Sequence, residues 1–127
     1  MQSYKDLDEW KTGVDIADLT YEITHEFPIE ERWALGSRMQ QTAISIASQI
    51  AVGFSRNCSQ EYQQLCCRSL ASCCELEAQL ILADRRSFVS RGLLTRTLEL
   101  IEEERMMLME IIQTLGERHN GSKGERP

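Results

Sequence analysis

Proline is almost missing from this chain: Pro28 and Pro127 are its only two among 127 residues. Proline removes a backbone donor and breaks helices, so its scarcity leaves nearly the whole length free to be helical. No apolar run approaches the roughly 18 residues that span a bilayer, and no stretch alternates as a strand does. The N-terminal MQSYKDLDEWK lacks the basic-then-apolar layout of a secretory signal. The expectation is a soluble, cytoplasmic protein with no membrane partner. Signatures of catalysis are missing as well. There is no Ser-His-Asp ordering, no glycine-rich phosphate loop and no Cys-x-x-Cys spacing. Of the two histidines, His25 follows Glu22 in a Glu-x-x-His pair, while His119 has no Glu three residues before it. A di-iron bundle needs two such pairs plus further carboxylates. The expectation is therefore a non-enzyme with no metal, no cofactor and no small-molecule substrate.

Basic charge is also scarce, since fourteen Lys and Arg face twenty Asp and Glu for a net −6. An acidic chain has no general attraction for phosphate backbones. The imbalance is uneven: residues 1–29 stand at −5, residues 30–56 at +1, and residues 57–90 and 91–127 at −1 each. The five cysteines, Cys58, Cys66, Cys67, Cys73 and Cys74, are read as reduced thiols serving as small buried hydrophobes. Within one helix Cys66 and Cys73 would stand about 10 Å apart along the axis, which is too far for a disulfide.

What is present is helical periodicity in four blocks. The first runs from Leu7 to Glu26, with Asp6 as N-cap and Glu9 completing a capping-box pattern. Leu7, Trp10, Val14, Ala17, Tyr21 and Thr24 make one face, and Ile16, Leu19, Ile23 and Phe27 widen it. Pro28 starts the second block, which continues to Val52 with Leu35, Met39, Ala43, Ile46 and Ile50 on one face. Its remaining positions are crowded with Ala, Ser and Thr, so neighbouring helices can approach closely. Gly53 reads as its stop, with the positive φ that a residue just past a helix end often needs. The third block spans Ser59 to Arg85, capped by Asn57 or Ser59, with Tyr62, Ser69, Cys73, Leu76 and Leu80 inside and Cys66, Leu70, Cys74 and Ile81 alongside. The fourth runs from Ser90 to Leu115 on a stripe of Leu94, Leu98, Ile101, Leu108, Ile112 and Leu115. Off that stripe lie Leu93, Leu100, Met107 and Ile111, an apolar surplus that points to a second buried surface. The fold expected is all-α: an antiparallel up-down-up-down four-helix bundle over residues 1–115, followed by a flexible tail over 116–127.

Phe27-Pro28, Glu31, Leu35, the run Ala43-Ile44-Ser45-Ile46, Ile50-Ala51, Gly53, Arg56 and Glu61 resemble the bacterial "four helix bundle protein" family. That family includes reading frames within intervening sequences of large-subunit ribosomal RNA. Tyr4-Lys5-Asp6-Leu7 with Trp10 is similar to the family's start, and Ser72, Glu75, Leu76 and Gln79-Leu80 to its third helix. The resemblance implies a homo-oligomer, typically a ring-like homopentamer, with no assigned activity. A related branch, the accessory proteins of diversity-generating retroelements, forms basic pentameric barrels that bind nucleic acid and a reverse transcriptase. This chain departs from the family at two places. Arg38-Met39-Gln40-Gln41-Thr42 stands where Gln-x-Arg-Arg-Ala is usual, and Gln49-Ile50-Ala51-Val52-Gly53 where Asn-Ile-Ala-Glu-Gly is usual.

Two functional expectations follow. The first is a self-assembling interaction scaffold whose subunit contacts use Ile16, Leu19, Ile23, Leu100, Met107 and Ile111. The second is an accessory protein for RNA or a reverse transcriptase, with Arg32, Arg38 and Arg56 as a polar cluster that a ring would repeat into a basic rim.

Overall fold

The computed structural model describes residues 3–124 and is helical almost throughout. A 3-10 turn over Tyr4–Asp6 leads into α1, Asp8–His25. The second helix, α2, starts with one turn over Ile29–Glu31. It widens into a π-helical turn over Arg32–Gly36 and continues over Ser37–Ser55. The third and fourth, α3 and α4, are Ser59–Arg85 and Arg91–Gly124. Each helix packs on two neighbours: α1 on α2 and α4, and α3 on α2 and α4. Short connections reverse the chain at each step, which gives the expected antiparallel four-helix bundle. Among the described residues there is no strand, and no helix is long and apolar enough to cross a membrane.

Close approach between helices follows from small side chains, as their crowding on α2 implied. A Cβ placed on Gly13 would lie 3.2 Å from the Ala47 backbone, so α1 and α2 nearly touch there. Between α2 and α3, the Ser45 hydroxyl donates to Ser72 at 2.7 Å and the Ser69 hydroxyl donates to the Ile46 carbonyl at 2.8 Å. Gln49 adds an amide bond to Ser72 at 3.1 Å. The buried hydroxyls are thus satisfied across the seam rather than left to compete with the helices.

Several local expectations are corrected. Asp6 lies inside the 3-10 turn, and Leu7 takes the cap position of α1 without any side-chain cap bond. Glu9 is turned inward instead of closing a capping box. The inward face of α1 is Glu9, Gly13, Ile16, Thr20, Ile23 and Thr24, while Tyr21 is 48% exposed. Gly53 is a buried residue of α2 with no positive φ, and Asn57, at φ 53°, makes the turn instead. Cys58 precedes α3 in extended conformation with no side-chain cap bond. Only Cys66 and Cys73 of the five thiols are buried, and Ile81 is 49% exposed. Helix α4 runs past Leu115 to Gly124, through most of the expected tail. Contacts with α3 continue past Leu115: a Cβ on Gly116 would meet the Gln63 amide, and His119 shares a 3.1 Å hydrogen bond with the Ser59 hydroxyl. The rest of the expected tail, residues 125–127, lies outside the described residues.

Candidate functional site

The three arginines expected to cluster do not. Arg32 folds back over the end of α1, where its Nε donates to the Phe27 carbonyl at 3.2 Å and Nη2 to the His25 carbonyl at 2.6 Å. A guanidinium at a helix C-terminus satisfies orphan carbonyls and complements the helix dipole, so its role is structural. Arg38 borders a shallow groove between α2 and α3 with Leu35, Glu75 and Leu82. Arg56 follows the far end of α2, roughly 35 Å from Arg32 at 1.5 Å per residue. None of the three makes an ion pair among the described residues; the pairs present are Arg91–Asp84 at 3.4 Å and Arg105–Glu102 at 3.0 Å.

A denser basic corner lies elsewhere. Arg85, Arg86, Arg91 and Arg96 are exposed around the α3–α4 connection, with Arg86 5.9 Å from the Phe88 ring centroid. The signal was available in the sequence, since no acid separates Asp84 from Glu99. Glu26, from the end of α1, tempers this corner by accepting from the Ser90 backbone N–H at 2.9 Å.

The six expected interface residues divide by helical phase. Ile16 and Ile23 are fully buried inside a single copy, because they share the inward face with Thr20. They are core residues, which corrects their expected place at a subunit contact. Leu19, Leu100, Met107 and Ile111 are half-buried, and Leu100 and Ile111 pack against the core. The strongly exposed apolar groups are others. Met106 is 64% and Met109 50% exposed on the outer face of α4, and Trp33 is 83% exposed at the π-helical turn. A groove of about 350 Å³ between α1 and α2 is lined by Trp10, Val14, Tyr21 and Ile44.

Inside the bundle sits a polar layer that the helical pattern had not marked. Glu104 of α4 is completely buried, as is Thr97, and Glu9 of α1 is 9% exposed. The Tyr62 hydroxyl of α3 donates to Glu9 Oε2 at 2.8 Å. Neither carboxylate oxygen of Glu104 has a hydrogen-bond partner among the described residues. Burial, then the charges of Glu9 and Glu103, push the Glu104 carboxyl up to about 8. Burial likewise pushes the Cys66 and Cys73 thiols up to about 12, which makes them poor nucleophiles. Burial and the bond to Glu9 raise Tyr62 as well. The one clue in the sequence was spacing: Leu94, Thr97, Ile101, Glu104 and Leu108 form one inward stripe, with a carboxylate in line. No group of three or more His, Cys, Asp or Glu side chains that could hold a metal ion gathers among the described residues.

The departures at Gln40 and Gln49 are absorbed by hydrogen bonds: Gln40 donates to the Thr24 hydroxyl at 2.9 Å, and Gln49 to Ser72. At Gln40 a neutral amide thus bridges α1 and α2 where an arginine is usual, whereas Gln49 stands where an asparagine is. Among curated proteins, no sequence matches the chain. The model of the 23S rRNA-intervening sequence protein family matches residues 5–110, which take in α1, α2, α3 and most of α4. With that match and the four-helix architecture, the chain belongs to the 23S rRNA-intervening sequence protein family.

Proposed function

We propose that the protein is a non-catalytic interaction scaffold that self-assembles into a ring-like homo-oligomer, a homopentamer in the form the family resemblance implies. The observation that carries this reading is the placement of exposed apolar side chains. Met106 and Met109 form a ridge on the outside of α4, whereas Trp10, Val14, Tyr21 and Ile44 line a groove between α1 and α2. Helix α4 stands diagonally from α2, so ridge and groove lie on different sides of one copy. A surface that fits a different surface on the next copy makes a heterologous contact, and such contacts close into rings when the rotation permits. Single exposed hydrophobes are ordinary, but contiguous ones mark interaction surfaces. Native mass spectrometry at micromolar concentration should show a closed multimer. A monomer alone would overturn the reading.

The arginine corner favours a second reading, in which the assembly binds RNA or DNA. Arg85, Arg86, Arg91 and Arg96 would be repeated once per subunit, concentrating positive charge on an otherwise acidic protein. Binding of this kind weakens steeply with salt. Retention on RNA at low salt and its loss when Arg85, Arg86 and Arg91 are changed to Ser would support it. No retention at low salt would remove it.

A further inference from the structure

One group in the interior is left unsatisfied by everything around it. Glu104 is 0% exposed, and both Oε1 and Oε2 lack a donor among the described residues. Among the described residues, its surroundings supply no positive charge. Helix α1 brings Glu9 and the bare backbone of Gly13, and α2 brings Ala47 against that same glycine. Helix α3 brings Cys66 and Cys73, with Tyr62 bonded to Glu9 nearby, and α4 itself adds Glu103. Arg105, next in sequence, is turned to the surface and pairs with Glu102. An ionised carboxylate buried without a partner is strongly unfavourable, and a group so placed takes up a proton instead.

The seat of this carboxyl group lies where three helices converge. A Cβ on Gly13 would come within 3.1 Å of Glu104 Oε2 and 3.2 Å of Ala47, so the missing side chain at position 13 makes the room that Glu104 occupies. The seam that closes over it, between α1 and α4, is the most sparsely packed of the four. Helix α1 also begins without a side-chain cap. These features make the α1–α4 seam the one that yields most readily.

We propose that Glu104 is a proton-operated latch on the α1–α4 seam: the protonated carboxyl lets the helices close, and the ionised one drives the seam open to water. Opening separates Tyr62 from Glu9 and uncovers Cys66 and Cys73. Burial and the like charges of Glu9 and Glu103 raise this carboxyl from the ordinary 4.5 to about 8, which places the response between those two values, from mildly acidic to neutral pH. Below that value each pH unit shifts the balance between a protonated closed form and an ionised open form by roughly tenfold.

Hydrogen exchange of the α1 and α4 amides, corrected for the intrinsic pH dependence of exchange, measures this opening directly in the full chain. Between about pH 5.5 and 7.5, protection around Gly13 and Ile101 should fall by roughly tenfold per pH unit relative to Glu104→Gln and Glu104→Met. The two variants differ in polarity, so a packing fault in one leaves the other as reference. Parallel pH dependence in all three proteins would overturn the latch. The carbon-13 shift of the Glu104 carboxyl supplies an independent test in the folded chain. A midpoint near 8 supports the proposal, and a midpoint near the ordinary 4.5 defeats it.

Discussion

A carboxyl group buried without a donor changes how folding stability depends on pH. Glu104 titrates near 8 in the folded chain and near the ordinary 4.5 once unfolded, so the folded state holds the extra proton throughout that window. Stability is therefore complete at the acid end, declines as pH rises through the window, and levels off above about 8. The decline attributable to this residue is roughly 1 kcal/mol per pH unit. Glu104→Met should melt higher than the parent at pH 7.5 and lose that advantage toward pH 5; a constant difference across pH would show that packing, not ionisation, decides the change. Gly53 makes a second point at this scale. A Cβ there would sit 2.9 Å from the Leu65 Cβ and 3.1 Å from Tyr62, so the glycine admits α3 rather than ending α2. Gly53→Val should cost about 1–3 kcal/mol through overpacking. In a double-mutant cycle, Leu65→Gly should make Gly53→Ala cheaper, because it removes the opposing Cβ; independent effects would return the glycine to a backbone role.

Elements that rest on spacing were readable in the sequence, and elements that rest on tertiary contacts were not. Helix α3 runs over Ser59–Arg85, where its periodicity placed it, because a 27-residue block between two turn segments has little freedom in its bounds. The ends of the other helices depend on distant partners. Arg32 reaches back to the carbonyls of Phe27 and His25, Glu26 reaches across to Ser90, and His119 meets Ser59. None of these pairings is visible in local pattern. The same holds for Glu104, whose charge masks its place in an otherwise apolar stripe, whereas the arginine corner was visible as a run without acids. The end of α3 shows a further case. The Phe88 N–H donates to the Ala83 carbonyl and the Ser87 N–H to Asp84, both at 2.9 Å, which is the double closure of a Schellman motif. The left-handed position in it, usually glycine, is Ser87 at φ 61°. Ser87→Gly should therefore stabilise the bundle by roughly 0.5–1 kcal/mol, since the left-handed penalty exceeds the added chain entropy. Chemical denaturation with an unchanged slope and a higher midpoint would confirm it, and a lower midpoint would show that the Ser87 side chain contributes more than its backbone costs.

At the scale of the whole molecule, one copy completes its own core and still exposes large apolar groups. Ile16, Ile23, Met39, Ile46, Leu76 and Ile101 are fully buried without a second copy, yet Met106, Met109 and Trp33 remain at least half exposed. Folding of one copy is therefore separable from the proposed assembly, and substitutions on the ridge should affect the second alone. Met106→Asp combined with Met109→Asp places two charges where the next copy would desolvate them, while touching no buried residue of the bundle. Far-ultraviolet circular dichroism should stay unchanged, and the mass in solution should fall from that of a multimer to that of one chain. A concentration dependence of the melting temperature should vanish with it, because mass action stabilises only the assembled form. Were helicity lost together with the mass, the ridge would belong to the folding unit and the bundle would have no stable single-copy state. Were the mass unchanged, subunits would meet through another surface, and the Trp33 side of the π-helical turn, the most exposed aromatic group described, would be the next to carry the same pair of charges.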